Sequence, residues 1–189
     1  MNYTEGLENL VLAPYIIKAT ALIGKSRNVG GNQFRHAIAT LGILLDYKFY
    51  DNYVLLKAAV IHDLFEDVPE TNEEEIRTID SQANAVVDLV LEITRSKGTP
   101  KATYLKRILE NGTRNAKLLK VADRISNLTD LHRDQYSRKK MCDYLDMTEK
   151  YVLPMAEEVN MNMAIELRDL IKMRRKQMRI LNSPGLLQL

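Results

Sequence analysis

Apolar residues along this chain recur at helical spacing. Leu41, Leu44 and Leu45 follow that rule, as do Leu118, Ala122, Ile125 and Leu128, and no segment of strand length alternates strictly between apolar and polar positions. The pattern predicts helices near 7–25, 34–48, 52–66, 72–79, 82–95, 101–111, 114–131, 138–158 and 160–180. The gaps carry turn residues: Asn28-Val-Gly-Gly-Asn32, Asp67-Val-Pro-Glu-Thr71, Lys97-Gly-Thr-Pro100, Asn111-Gly112 and Asn182-Ser-Pro-Gly185. There is no internal repeat and no low-complexity stretch. The expectation is an all-α fold, a single compact multi-helix bundle over residues 1–189, with a core near 19–151 and a C-terminal helix near 160–180.

Composition narrows the function classes more than the fold. A net charge of +2 is too small for a general polyanion binder, so nucleic acid is not the expected partner, although a local basic cluster could hold a small anion. The start of the chain has no basic stretch followed by an unbroken apolar run, and no run of about 18 apolar residues occurs anywhere, so neither a signal peptide nor a membrane span is expected. Cys142 is the only cysteine and has no second thiol for a disulfide, zinc ribbon or redox pair. These features fit a cytoplasmic protein. With three histidines in the chain, a metal site would need most of them plus carboxylates.

The sharpest chemical signal lies in Lys57-Ala-Ala-Val-Ile-His-Asp-Leu-Phe-Glu-Asp67. An apolar helix runs to Ile61, and His62, Asp63, Glu66 and Asp67 follow within six residues. At helical spacing the three carboxylates crowd one face and repel one another, an arrangement that a divalent cation would relieve. An acidic helix end facing solvent would give the same residues. Asp123 adds weight, because it sits among Val121, Ala122 and Ile125, where a carboxylate is costly unless paired or bound to metal. Lys120 and Arg124 are its alternative partners, and Asn127 lies one turn on. His36 opens a helix after Lys25-Ser-Arg27 and a glycine turn; two cations beside such a turn suit a phosphate.

In this order and context, His36, His62-Asp63 and Asp123 resemble the HD superfamily of metal-dependent phosphohydrolases. More narrowly, the chain from about Ala19 to Tyr151 is similar to the hydrolase domain of the RelA/SpoT family and to the stand-alone small alarmone hydrolases, the metazoan SpoT homologues among them. The matching pieces are AAVIHDLFED against AAxLHDxxED, LVLEITRSKGTPK against LVxxVTxxKxxPK, and KLLKVADRISNL against KLxKLADRxxNL. The resemblance implies that His36, His62, Asp63 and Asp123 bind a metal, usually Mn²⁺. It implies that Glu66 and Asp67 position or deprotonate the attacking water. Lys25, Arg27, Lys97 and Lys101 would be phosphate contacts, and Asn127, Lys140 and Tyr144 would line the nucleoside or phosphate pocket.

The implied reaction is hydrolysis of the 3′-diphosphate of ppGpp or pppGpp to GDP or GTP and pyrophosphate. Two departures stand out. Asn32-Gln33 occupies the place of a Pro-Tyr whose tyrosine lies against the purine, with Phe34 a candidate replacement, and Ala37 replaces a proline after the first histidine. They keep two other readings open, an HD hydrolase for another nucleotide phosphoester (a nucleoside mono- or triphosphate, or NADPH) and a nucleotide-binding module without turnover. No synthetase domain or regulatory tail is expected, and the oligomeric state is left open. Outside the motifs, the basic C-terminal segment Arg168–Arg179 reads as a solvated helix that packs its Leu and Met residues, or else as a partner or nucleic-acid contact. His132 reads as a surface residue.

Overall fold

The computed structural model describes residues 3–133 and 137–180. Its helices are α1 (Tyr3–Leu7), α2 (Ala13–Ala19), α3 (Gln33–Asp46), α4 (Tyr53–Ile61), α5 (Leu64–Asp67), α6 (Glu73–Arg77), α7 (Ala83–Ile93), α8 (Lys101–Asn111), α9 (Arg114–Asp130), α10 (Arg138–Met147), α11 (Leu153–Val159) and α12 (Met161–Ile180). The all-helical expectation holds. One isolated bridge, Ser26 with Asn32, is the extended pairing among the described residues.

Helix α9 is the axis of the fold. Thr113 caps its start by accepting from the Ala116 N–H, and from Leu118 to Ser126 every residue but Lys120 is buried. It packs against α3, α4, α7, α11 and α12. Helix α4 has seven consecutive buried residues, Leu55 to Ile61, so it is enclosed on all sides rather than amphipathic. The polar member of that run, Lys57, reaches Asp80 at 2.7 Å and Gln82 at 2.8 Å.

The structure corrects three of the expected helix boundaries. The predicted helix over 7–25 is broken: α1 ends at Leu7, α2 begins at Ala13 with Pro14 in its first turn, and residues 20–24 tighten into a 3₁₀ turn. Pro14 lacks the N–H that a helix interior needs, so it opens a helix rather than continuing one. The predicted 52–66 helix is interrupted at His62 and Asp63, between α4 and α5. The predicted 138–158 helix widens to a π turn over Thr148–Val152, just ahead of Pro154 in the first turn of α11. The expected break at Asn182–Gly185 and the side chain of His132 lie outside the described residues.

Candidate metal centre

Two helices and the turn between two others bring the chemistry together. His36 lies in the first turn of α3, His62 and Asp63 form the link between α4 and α5, and Asp123 sits midway along α9. His36 Nε2 is 3.0 Å from Asp123 Oδ1 and 3.7 Å from Asp63 Oδ2. His62 Nε2 is 3.4 Å from Asp63 Oδ2 and 4.0 Å from Asp123 Oδ1. One ligand atom from each of His36, His62 and Asp123 falls within 4.8 Å of the others. Asp63 stands outside that triplet but within reach of both imidazoles.

The donor chemistry fits a divalent cation. His62 Nδ1 is 2.8 Å from the Ala59 carbonyl, which can only accept, so this nitrogen carries the ring proton of the neutral imidazole. In that tautomer Nε2 presents its lone pair, and the atom is buried and without a hydrogen-bond partner. An imidazole oriented by a backbone carbonyl, with its other nitrogen facing a second imidazole and two carboxylates, is a metal-ligand arrangement. Ser126 Oγ, 2.9 Å from His36 Nδ1, can orient the first imidazole in the same way. Two nitrogens and two carboxylate oxygens suit a borderline divalent cation.

Burial would push the Asp123 carboxyl up, but Lys120, His36 and His62 outweigh it and hold it well below the ordinary range. Lys120 Nζ is 2.7 Å from Oδ2, and the Asn127 amide donates to Oδ1 at 2.5 Å. The ion pair weighed as the alternative for Asp123 is thus made with Lys120, and the carboxylate also faces both histidines. Arg124 turns away to donate to the Thr148 hydroxyl and stacks over the Tyr144 ring at 4.1 Å.

Beside the cluster lies a cavity of about 310 Å³. Asp63, Glu66 and Asp67 all line it, so the expected crowding of carboxylates is present despite the break in the helix. Glu66 is exposed and tied to Arg95, with Nη2 to Oε1 at 3.3 Å. Asp67 is half-buried and accepts from Gln33 Nε2 at 2.7 Å. Burial and then Asp63 raise its pKa, with the Gln33 hydrogen bond opposing them.

Of the residues expected to contact substrate, Arg27, Lys101, Asn127 and Tyr144 line this cavity. Arg27 donates to Asn127 Oδ1 at 2.7 Å, which links the glycine turn to α9. Desolvation, then Arg95 and Arg124, pull the pKa of Lys101 down. Lys140 lines an adjoining cavity of about 290 Å³ that shares Lys101, Tyr144 and Met147 with the first. Lys25 and Lys97 line neither. Lys25 serves through its backbone, accepting from the Gln33 N–H at 2.9 Å, and Lys97 is exposed on a turn whose Gly98 has φ +86°. Gly30 and Gly31 also have positive φ, and a Cβ on Gly30 would meet nothing within 4 Å. The positive φ at both positions is a backbone conformation that favours glycine, which accounts for the pair in this turn.

Sequence reasoning missed Arg95 altogether and weighed Lys120 and Arg124 only as ion-pair partners. For Lys120 the signal in the chain was its i,i+3 spacing from Asp123. Phe34, the candidate stacking residue, packs against the core and does not line the cavity.

No family model matches the chain. It is 29% identical over 129 residues to the human guanosine-3′,5′-bis(diphosphate) 3′-pyrophosphohydrolase MESH1, covering 65% of this chain and 70% of that protein. The protein of the same name from Danio rerio is 28% identical over 130 residues, with the same coverage. The one from Xenopus tropicalis is 30% identical over 123 residues, covering 62% of this chain and 67% of that protein. The chain belongs to the MESH1 family. A solved structure described as a metazoan ortholog of SpoT that hydrolyses ppGpp superposes with a TM-score of 0.74 at 23% identity, over 86% of this chain and 94% of that one. That likeness speaks for the fold. At the positions where the resemblance implies Pro-Tyr, Asn32 caps α3 by accepting from the Arg35 N–H at 2.9 Å and Gln33 is the partner of Asp67.

Proposed function

We propose that this chain is a metal-dependent 3′-pyrophosphohydrolase of ppGpp and pppGpp, acting in the cytoplasm, with the whole chain as one domain. The observation that carries the reading is the buried Nε2 of His62, without a hydrogen-bond partner, converging with His36, Asp63 and Asp123 at the edge of a cavity lined by both carboxylates and cations, in a chain of the MESH1 family.

His36, His62, Asp63 and Asp123 would hold the cation, Mn²⁺ in this reading. When bound, it would supply Lewis-acid polarisation and a nucleophile at neutral pH. Water attacks the phosphorus joined to the 3′ oxygen, the P–O3′ bond breaks, and the 3′ oxygen takes up a proton as pyrophosphate leaves. Glu66 holds or deprotonates the attacking water, and Asp67 assists the proton transfer. Arg27, Arg95, Lys101 and Arg124 stand where negative charge builds on the phosphoryl oxygens, and preorganised charge of this kind often lowers the barrier more than the proton transfers do. Asn127 and Tyr144 face the same space and are the candidates for nucleoside contacts. Lys140 could act from the adjoining cavity, and Lys25 and Lys97 only after movement of their turns.

A second reading, the same centre acting on another nucleotide phosphoester such as a nucleoside mono- or triphosphate or NADPH, is favoured by one observation. Gln33, at the position where the resemblance expects a tyrosine against the purine, is engaged with Asp67. A substrate panel with Mn²⁺ separates the two. Release of pyrophosphate from ppGpp and pppGpp is expected. Orthophosphate from NADPH or a nucleoside monophosphate, with ppGpp untouched, would establish the second reading instead. Binding without any product would make the chain a nucleotide-binding module.

A further inference from the structure

We infer that Gln33 is a positioning residue that fixes the Asp67 carboxylate against the cleft. The inference rests on the proposed role of Asp67 in proton transfer. Gln33 is the first residue of α3 and Asp67 the last of α5, so their 2.7 Å hydrogen bond joins the helix that carries His36 to the one that follows His62 and Asp63.

The fold does not need this side chain to start α3. The Gln33 N–H is bonded to the Lys25 carbonyl, and the Asn32 side chain caps the helix by accepting from Arg35 N–H. The far end of the amide argues the same way. Gln33 Oε1 is buried and has no hydrogen-bond partner. Leaving a buried carbonyl unpaired costs about 1–3 kcal/mol, so an amide kept for stability would satisfy both of its ends. Here one end is satisfied, and it is the end that holds Asp67.

The chemistry of the donor also matters. Asp67 shares the cavity with Asp63 and Glu66. A lysine at position 33 could bridge two of these acids and pull them out of place, and a glutamate would repel all three. A neutral N–H donor orients one oxygen of Asp67 without competing for its neighbours.

The test compares wild type, Gln33→Met and Gln33→Glu for kcat, KM, bound metal and Tm, and repeats Gln33→Met in an Asp67→Asn background. Methionine keeps the length of the side chain and removes the amide. Its kcat should fall roughly 10- to 100-fold with KM within about twofold, the scale expected when a catalytic group is misplaced. Metal content should be unchanged, and Tm unchanged or raised, because the orphaned carbonyl is gone. Gln33→Glu should lower kcat at least as far. In the Asp67→Asn background Gln33→Met should cost nothing more, since the two act as one unit. Full kcat in Gln33→Met, a kcat loss that tracks a fall in Tm, or losses that simply add in the double variant would each overturn the inference. Wild type that releases no pyrophosphate from ppGpp overturns the proposed function and this inference with it. Turnover by wild type with Gln33→Met unimpaired overturns this inference alone.

Discussion

Asp123 has more partners than a structural carboxylate needs. One oxygen takes Lys120, and the other takes Asn127 and lies 3.0 Å from His36. Asp123→Ala should therefore release bound metal and abolish activity together, read by metal content and kcat on the same preparation. Glu66 is different, because it is exposed, touches Arg95 and lies outside the His36–His62–Asp123 triplet. Glu66→Ala should keep its metal and lose turnover by roughly 10²–10⁴-fold, the usual scale for acid–base assistance. Full kcat in that variant would remove Glu66 from the mechanism. At this scale two of the proposed ligands were legible because they are chemically out of place where they stand: Asp123, a carboxylate among Val121, Ala122 and Ile125, and His62, a histidine closing an apolar helix. The cations were less legible. Arg95 enters the cleft through the turn after α7, and nothing in Thr94-Arg95-Ser96 shows which way that turn faces.

Elements hold these residues in register, and α4 depends on one polar anchor. Lys57 is buried, with its ammonium on Asp80 and Gln82, while the Tyr15 hydroxyl donates to the other oxygen of Asp80 at 3.1 Å. This network ties α2 and the α6–α7 link to the helix that leads into His62. Asp80→Ala would strand a buried ammonium and should cost about 3 kcal/mol by chemical denaturation, the low end for a broken buried pair because Lys57 keeps the Gln82 oxygen. The sign of its pH dependence follows from the direction of the Asp80 shift. Burial pushes that carboxyl up, but Lys57, the Gln82 backbone and Tyr15 together hold it below its ordinary value. The stabilisation is therefore complete above the unfolded carboxyl pKa of about 3.9 and is lost as pH falls through the lower folded value. The gap in stability between wild type and Asp80→Ala should accordingly be flat from about pH 5 to about pH 7 and close only in strong acid; a gap that widened on acidification would contradict the assignment. Helix periodicity predicted α3, α8 and α9 well, since each has a clear apolar face. It overran at Pro14, at His62-Asp63 and before Pro154, where a missing N–H or a local side-chain bond outweighs the pattern.

The molecule as a whole places three separate helices around one point. His36 comes from α3, His62 and Asp63 from the end of α4, and Asp123 from α9, and each of these helices packs on the other two. A cation bound there would cross-link the centre of the bundle, and it would be absent from the unfolded chain, so binding becomes folding free energy. At a cation concentration about 100 times Kd the gain is about 2.7 kcal/mol, or roughly 5–10 °C in Tm for a chain of this size. Mn²⁺ added to metal-free protein should raise Tm by that amount, and a chelator should reverse it. His62→Ala tests whether the effect comes from this centre, because it removes the buried Nε2 without adding charge. That variant should lose the Mn²⁺-dependent rise even if its metal-free Tm differs from wild type. An undiminished rise in His62→Ala would mean that the cation binds elsewhere on the surface, and that the convergence of α3, α4 and α9 is a packing arrangement with no metal to hold.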